Sequence, residues 1–141
     1  VLPGIDARKI IKSYVNTIPF CSVFVEMKER VRLMVTDPNR IKKTDKGNPD
    51  ICTVYTFHKV FNPENSDAIA CQCREAEIGC VQCKNCLAEK MNTLLADIHI
   101  RREEIKNKPN YIREVLEYGA ERARKVAAAN MEEIRSAMNV L

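Results

Sequence analysis

The sequence predicts an all-α fold: a helical bundle in which two long antiparallel helices pack with two or three shorter ones. Three observations carry this. Apolar residues recur at helical spacing along most of the 141 residues, β-branched runs of period two are missing, and clusters of Pro, Gly and Asn cut the periodic stretches into segments. Residues 1–20 hold Pro3, Gly4, Asn16 and Pro19 and read as loop with a short strand. Phe24, Met27, Val31, Met34 and Val35 then share one helical face, and Thr36-Asp37-Pro38-Asn39 ends that helix. Residues 38–50 are a loop. A second helix is expected from Ile51 to about Phe61, with Asp50 as N-cap after Pro49. Pro63-Glu64-Asn65-Ser66-Asp67 opens a third, shorter helix whose acidic first turn suits the helix dipole. After Gly79, the residues Val81, Leu87, Met91, Leu94, Ile98 and Ile105 repeat at helical spacing from Cys80 onward. Beyond Lys106-Asn107-Lys108-Pro109 comes a last long helix, with Ile112, Val115, Gly119, Ala123, Val126, Ile134 and Met138 as its expected inward face. The chain thus divides into an irregular segment, 1–22, and a helical domain, 23–141.

A composition of 45% hydrophobic and 30% charged residues is that of a folded, water-facing domain. No apolar run approaches the ~18–20 residues that cross a bilayer, and Pro3, Gly4 and Asp6 stand where a signal peptide would be apolar. A soluble cytoplasmic protein with no membrane partner is expected. The missing initiator Met fits either its removal or a piece of a longer chain. A net charge of +4 says little by itself. The basic residues cluster, however: Arg40, Lys42, Lys43 and Lys46; Arg101 and Arg102; Arg122, Arg124 and Lys125. Any one cluster is ordinary as a solvated face, and several on one small domain suit a polyanion such as nucleic acid.

Seven cysteines without a secretion signal point to reduced thiols rather than a disulfide framework. Cys80-x2-Cys83 follows Gly79 at the start of a long helix, where unpaired N–H groups and the positive dipole end favour thiolate, the form that binds metal. With Cys73 and Cys52 the pattern becomes Cys52-x20-Cys73-x6-Cys80-x2-Cys83. Three segments feeding one site suit an iron–sulfur cluster, which takes four thiolates; zinc is the alternative. A ferredoxin run is excluded, because Lys90 stands where its fourth cysteine would fall. Cys21, Cys71 and Cys86 are read as ordinary small buried hydrophobes. His58 and His99 are read as surface or core residues that a zinc site could still recruit.

The segment Leu2-Pro3-Gly4-Ile5-Asp6-Ala7-Arg8-Lys9-Ile10-Ile11-Lys12-Ser13-Tyr14-Val15-Asn16 resembles the region of the KMSKS signature loop of a class I aminoacyl-tRNA synthetase, and most closely the bacterial tryptophanyl enzymes. The likeness continues through Met34-Val35-Thr36-Asp37-Pro38, Thr44-Asp45-Lys46-Gly47-Asn48-Pro49, Ile78-Gly79-Cys80-Val81-Gln82-Cys83-Lys84 and Gly119-Ala120-Glu121-Arg122-Ala123-Arg124. It covers nearly the whole chain.

The resemblance implies that residues 1–22 are a remnant of the catalytic domain and that 23–141 form the helical domain receiving the anticodon of tRNA(Trp). It implies a [4Fe–4S] cluster on Cys52, Cys73, Cys80 and Cys83, and picks Cys73 over Cys71 because only Cys73 keeps the x6 spacing. It makes Lys9, Lys12 and Ser13 a degenerate ATP-phosphate loop: Ile10, Ile11 and Val15 replace the expected Met, Ser and Gly. Arg74 and Lys84, which flank the ligands, become tRNA-binding candidates. The Rossmann half and its HIGH-type motif are absent from the sequence, so no catalytic residue is assigned and tryptophan activation by this chain alone should fail. ATP would be used only in a full-length enzyme or with a separate catalytic half. A stand-alone metal- or redox-sensing regulator built on the same domain is the alternative.

Overall fold

The computed structural model describes residues 2–140, and among them no strand occurs. Five helices follow one another: α1 (Phe24–Arg32), α2 (Thr53–Phe61), α3 (Ser66–Arg74), α4 (Cys80–Lys106) and α5 (Tyr111–Ala137). The expected short strand near the N-terminus reduces to one antiparallel bridge between Pro3 and Lys9.

That N-terminal loop is held together by a buried side chain. The Asn16 carboxamide donates to Asp6 Oδ1 (2.9 Å) and to the Lys9 carbonyl (3.0 Å), and accepts from Ile11 N–H (3.2 Å). A Cβ on Gly4 would collide with this carboxamide, so only glycine fits there. Lys12–Tyr14 form one 3-10 turn, closed by Val15 at φ 51°. A β-branched residue in the left-handed region is strained.

Residues 1–99 make one compact unit and residues 100–141 another. The first holds the core. Met27, Val31 and Met34 meet Val54 and Phe57 of α2 and Leu87, Ala88, Met91 and Leu95 of α4. Full burial of such side chains stabilises by about 1.5–3 kcal/mol each. Val35 departs from the expected face, because α1 has already ended and the residue turns outward.

Two further departures have local causes. The Asn48 side chain accepts from Asp50 N–H and spins Pro49–Ile51 into a 3-10 turn, leaving Cys52 extended (φ −91°, ψ 119°) as the residue before α2. The helix therefore starts at Thr53, not Ile51, and Asp50 is not its N-cap. On α4 the buried stripe is Leu87, Ala88, Met91 and Leu95, while Val81, Leu94, Ile98 and Ile105 are exposed. In the second unit α5 forms over the expected span, but none of its residues is buried, including Ile112, Val115, Val126, Ile134 and Met138.

Candidate metal centre and the basic cavity beside it

Four cysteines reach one region by way of three segment ends. Cys52 sits on the extended residue before α2, Cys73 in the last turn of α3, Cys80 at the first position of α4 and Cys83 a turn later. All four are half-buried. Cys52, Cys73 and Cys80 lie near enough to Cys83 to act on it electrostatically, as does the exposed Cys86, and Cys52 and Cys80 act on Cys73. Burial, with those neighbours adding to it, pushes the Cys83 thiol up to about 12. Burial likewise raises Cys73, against the pull of the Arg40 guanidinium.

Arg40 holds this group from the loop side. Its Nη1 lies 3.7 Å from Cys73 Sγ and 4.0 Å from Cys80 Sγ. Its Nη2 donates to the carbonyls of Lys43 (2.9 Å) and Ile78 (2.8 Å), while its buried Nε has no partner among the described residues. Gly47 closes over Cys73: its N–H donates to the Cys73 carbonyl, and a Cβ there would stand 2.7 Å from the sulfur. Among the described residues no three His, Cys, Asp or Glu side chains close on a point that would hold one metal ion. The donor set itself, four thiols with a cation and an orphaned N–H beside them, fits a polynuclear anionic group bound through thiolates.

Behind Cys83 lies His58, fully buried. Its Nε2 is 3.2 Å from the Cys83 carbonyl oxygen and 3.4 Å from Cys83 Sγ.

In front of Cys80 opens a cavity of about 450 Å³ lined by Lys28, Glu29, Arg32, Cys80, Val81, Lys84 and Asn85. The Lys84 ammonium donates to the Arg32 carbonyl (2.8 Å), and partial burial lowers its pKa. Three cations thus meet one carboxylate on the walls.

The sequence-derived residues fare unequally. Cys52, Cys73, Cys80 and Cys83 come together, and Lys84 lines the cavity next to them. Arg74 is exposed, 3.4 Å from Asp50 in an ion pair, and lines no part of the cavity. Lys9, Lys12 and Ser13 are exposed on the N-terminal loop. Cys21, Cys71 and Cys86 are exposed, contrary to their reading as core residues, because each falls on the outer side of its segment. His99 Nε2–H donates to the Phe20 carbonyl at 2.9 Å, which only accepts. Sequence reasoning missed Arg40 as a thiol partner, Gly47 as a lid on Cys73, and Lys28 and Arg32 as cavity walls. The tight clustering of Arg40 with three lysines hid it among solvated charges.

The fold and this site first define a class. The structure superposes on a solved aminoacyl-tRNA synthetase, with five helices matching its helical C-terminal part. That protein is the tryptophanyl-tRNA synthetase of Campylobacter jejuni: TM-score 0.86 at 26% identity, covering 99% of this chain and 45% of that one. Its complex with ADP and tryptophan gives 0.87 with 43% of that chain covered. Tryptophan–tRNA ligases from Aquifex aeolicus (39% identical over 141 residues) and Thermotoga maritima (40% over 142) match 99% of this chain. The chain spans 36% and 43% of the length of these two relatives. No protein-family model matches. The chain is homologous to the C-terminal part of tryptophanyl-tRNA synthetases.

Proposed function

We propose that the chain serves as the tRNA-engaging C-terminal part of a tryptophan–tRNA ligase, with a [4Fe–4S] cluster on Cys52, Cys73, Cys80 and Cys83. The observation that carries this is the shared wall: Cys80 belongs both to the thiol group and to the cationic cavity of Lys28, Arg32 and Lys84. A ligand in that cavity would meet a positive, partly dehydrated surface on the far side of the metal centre, which suits a nucleotide with its phosphate. The tRNA substrate is the one named for the relatives, tRNA(Trp).

The cluster would supply no chemistry to aminoacylation; its chemistry is that of a cross-link held by thiolate–iron bonds. The chain's own residues do the rest. Cys52, Cys73, Cys80 and Cys83 would tie the start of α2, the end of α3 and the start of α4 together. Arg40 offsets part of the thiolate charge, and Lys84 faces the ligand. Zinc is the alternative occupant, a tetrahedral ion that would use the same four thiolates. Residues 1–22 belong in this reading to the catalytic domain and 23–141 to the anticodon-binding domain. Lys9, Lys12 and Ser13 are then placed to meet ATP phosphates once a catalytic half is present, which would activate tryptophan with ATP and transfer it to tRNA(Trp). Every relative named above is a ligase of this kind, which gives the regulatory alternative no support.

The test is anaerobic purification followed by iron, sulfide and zinc analysis, with tRNA(Trp) binding measured on the protein and on its Cys80→Ser/Cys83→Ser form. About four iron and four sulfide per chain, and binding lost in the double variant, are expected. Absence of bound metal, or tRNA affinity unchanged by the substitutions, would overturn the reading.

A further inference from the structure

The buried histidine behind the thiols is fixed in one tautomer by its neighbours. His58 Nε2 faces the Cys83 carbonyl at 3.2 Å, and a carbonyl oxygen only accepts, so Nε2 carries the proton. Nδ1 is then the acceptor, and it meets Asn62 Nδ2 at 3.3 Å. That orientation turns Asn62 Oδ1 toward Asn65 Nδ2, which donates to it at 3.0 Å. A single carbonyl thus sets the direction of three successive hydrogen bonds. His58 and Asn62 are 0% and 1% exposed, so water does not compete for either.

The same N–H lies 3.4 Å from Cys83 Sγ. Carbonyl and sulfur belong to the same residue, so this one N–H is shared between them, 3.2 Å from the oxygen and 3.4 Å from the sulfur. We infer that His58 is a positioning residue for the metal centre, holding its Nε2–H on the Cys83 sulfur and so raising the reduction potential of a cluster bound there. The inference rests on the [4Fe–4S] reading above. Its physical basis is that a one-electron reduction adds negative charge shared by the ligand sulfurs. A donor aimed at one of them stabilises the reduced form more than the oxidised form. Asn62 and Asn65 act through His58, by keeping the proton on the nitrogen that faces Cys83.

The experiment measures iron, sulfide and midpoint potential, with mediators and a poised electrode supplying the electron, for the unaltered chain and for His58→Phe, His58→Gln and Asn62→Leu. In His58→Phe, the reduced-to-oxidised ratio at fixed potential is expected to fall about tenfold, a downward shift of about 59 mV for one electron. His58→Gln keeps an N–H donor and should recover most of the shift; Asn62→Leu, which removes the donor to Nδ1 and loosens the hold on the ring, should fall between. If His58→Phe does not fold, Asn62→Leu decides: a lowered potential supports the inference and an unchanged one overturns it. Potentials equal to that of the unaltered chain in both would overturn the role of His58 while leaving the cluster in place. Zinc or no metal in the unaltered chain would overturn the cluster reading itself, and this inference with it.

Discussion

Residues 1–99 and 100–141 both contain long stretches of helix with apolar residues at helical spacing, yet they differ in what that spacing does. In the first unit the stripe on α4 is sealed: Leu87 and Met91 are 0% exposed, against Met27, Val31 and Val54. In the second no residue of α5 is buried. The thiols, the cationic cavity and the buried histidine all lie in the first unit. Periodicity therefore reports that one face of a helix is apolar, and says nothing of whether this chain supplies its cover. Chemistry is found where backbone ends are immobilised by packing, as the starts of α2 and α4 are.

The largest effect expected from breaking this asymmetry comes from the thiols. Cys80→Ser with Cys83→Ser should abolish metal content and lower the melting temperature of the unit 1–99, because the apparent free energy of a structural thiolate site rivals the whole stability of a small domain. Thermal unfolding with metal analysis checks it. The same pair of substitutions at Cys71 and Cys86, both exposed, should leave metal content intact.

Core packing comes next. Met91→Ala empties a fully buried position and is expected to cost about 2–5 kcal/mol. Val126→Ala, on an apolar position of α5 that is 64% exposed, should change stability by about 0.5 kcal/mol or less. Chemical denaturation of both variants measures the contrast. A comparable loss in Val126→Ala would show that the α5 face is covered in solution and would dissolve the comparison.

These contrasts also mark what could be read from residue order. The all-helical class, the two long helices and the breaks at Gly79 and Lys106-Asn107-Lys108-Pro109 follow from period and turn residues, and the structure has them. The Cys73-x6-Cys80-x2-Cys83 spacing was legible because a turn between α3 and α4 brings nearby residues together, whatever the rest of the fold does. Arg40 was not legible as a thiol neighbour, since 33 residues separate it from Cys73 and only tertiary packing joins them. The start of α2 was misjudged because an Asn48 side-chain hydrogen bond outcompeted Asp50 as a cap. Neither effect leaves a periodic trace.

Two glycines restate the comparison at the scale of one atom. Gly47 has Cys73 Sγ where its Cβ would go, at 2.7 Å, with the Arg40 side chain next at 3.1 Å. Gly47→Ala must displace a proposed ligand, and is expected to cost about 1–3 kcal/mol and to reduce metal loading several-fold. Metal analysis after anaerobic purification, at matched protein concentration, reads the second effect separately from the first.

Gly119 lies within α5 and a Cβ there would meet nothing within 4 Å. Helical spacing puts it on the expected inward face of that helix, a position where a glycine permits close approach of another backbone. Among the described residues nothing exploits that, so within them the glycine only burdens the helix with backbone entropy. Gly119→Ala should therefore stabilise the protein by about 0.5–1 kcal/mol, the helix-interior difference between the two residues. Thermal or urea unfolding followed by far-UV circular dichroism measures it. A loss of stability of the same size would mean that the added methyl group meets a surface that this chain does not itself contain. The smallest substitution proposed is thus the one that asks most directly whether the exposed face of α5 is bare in solution.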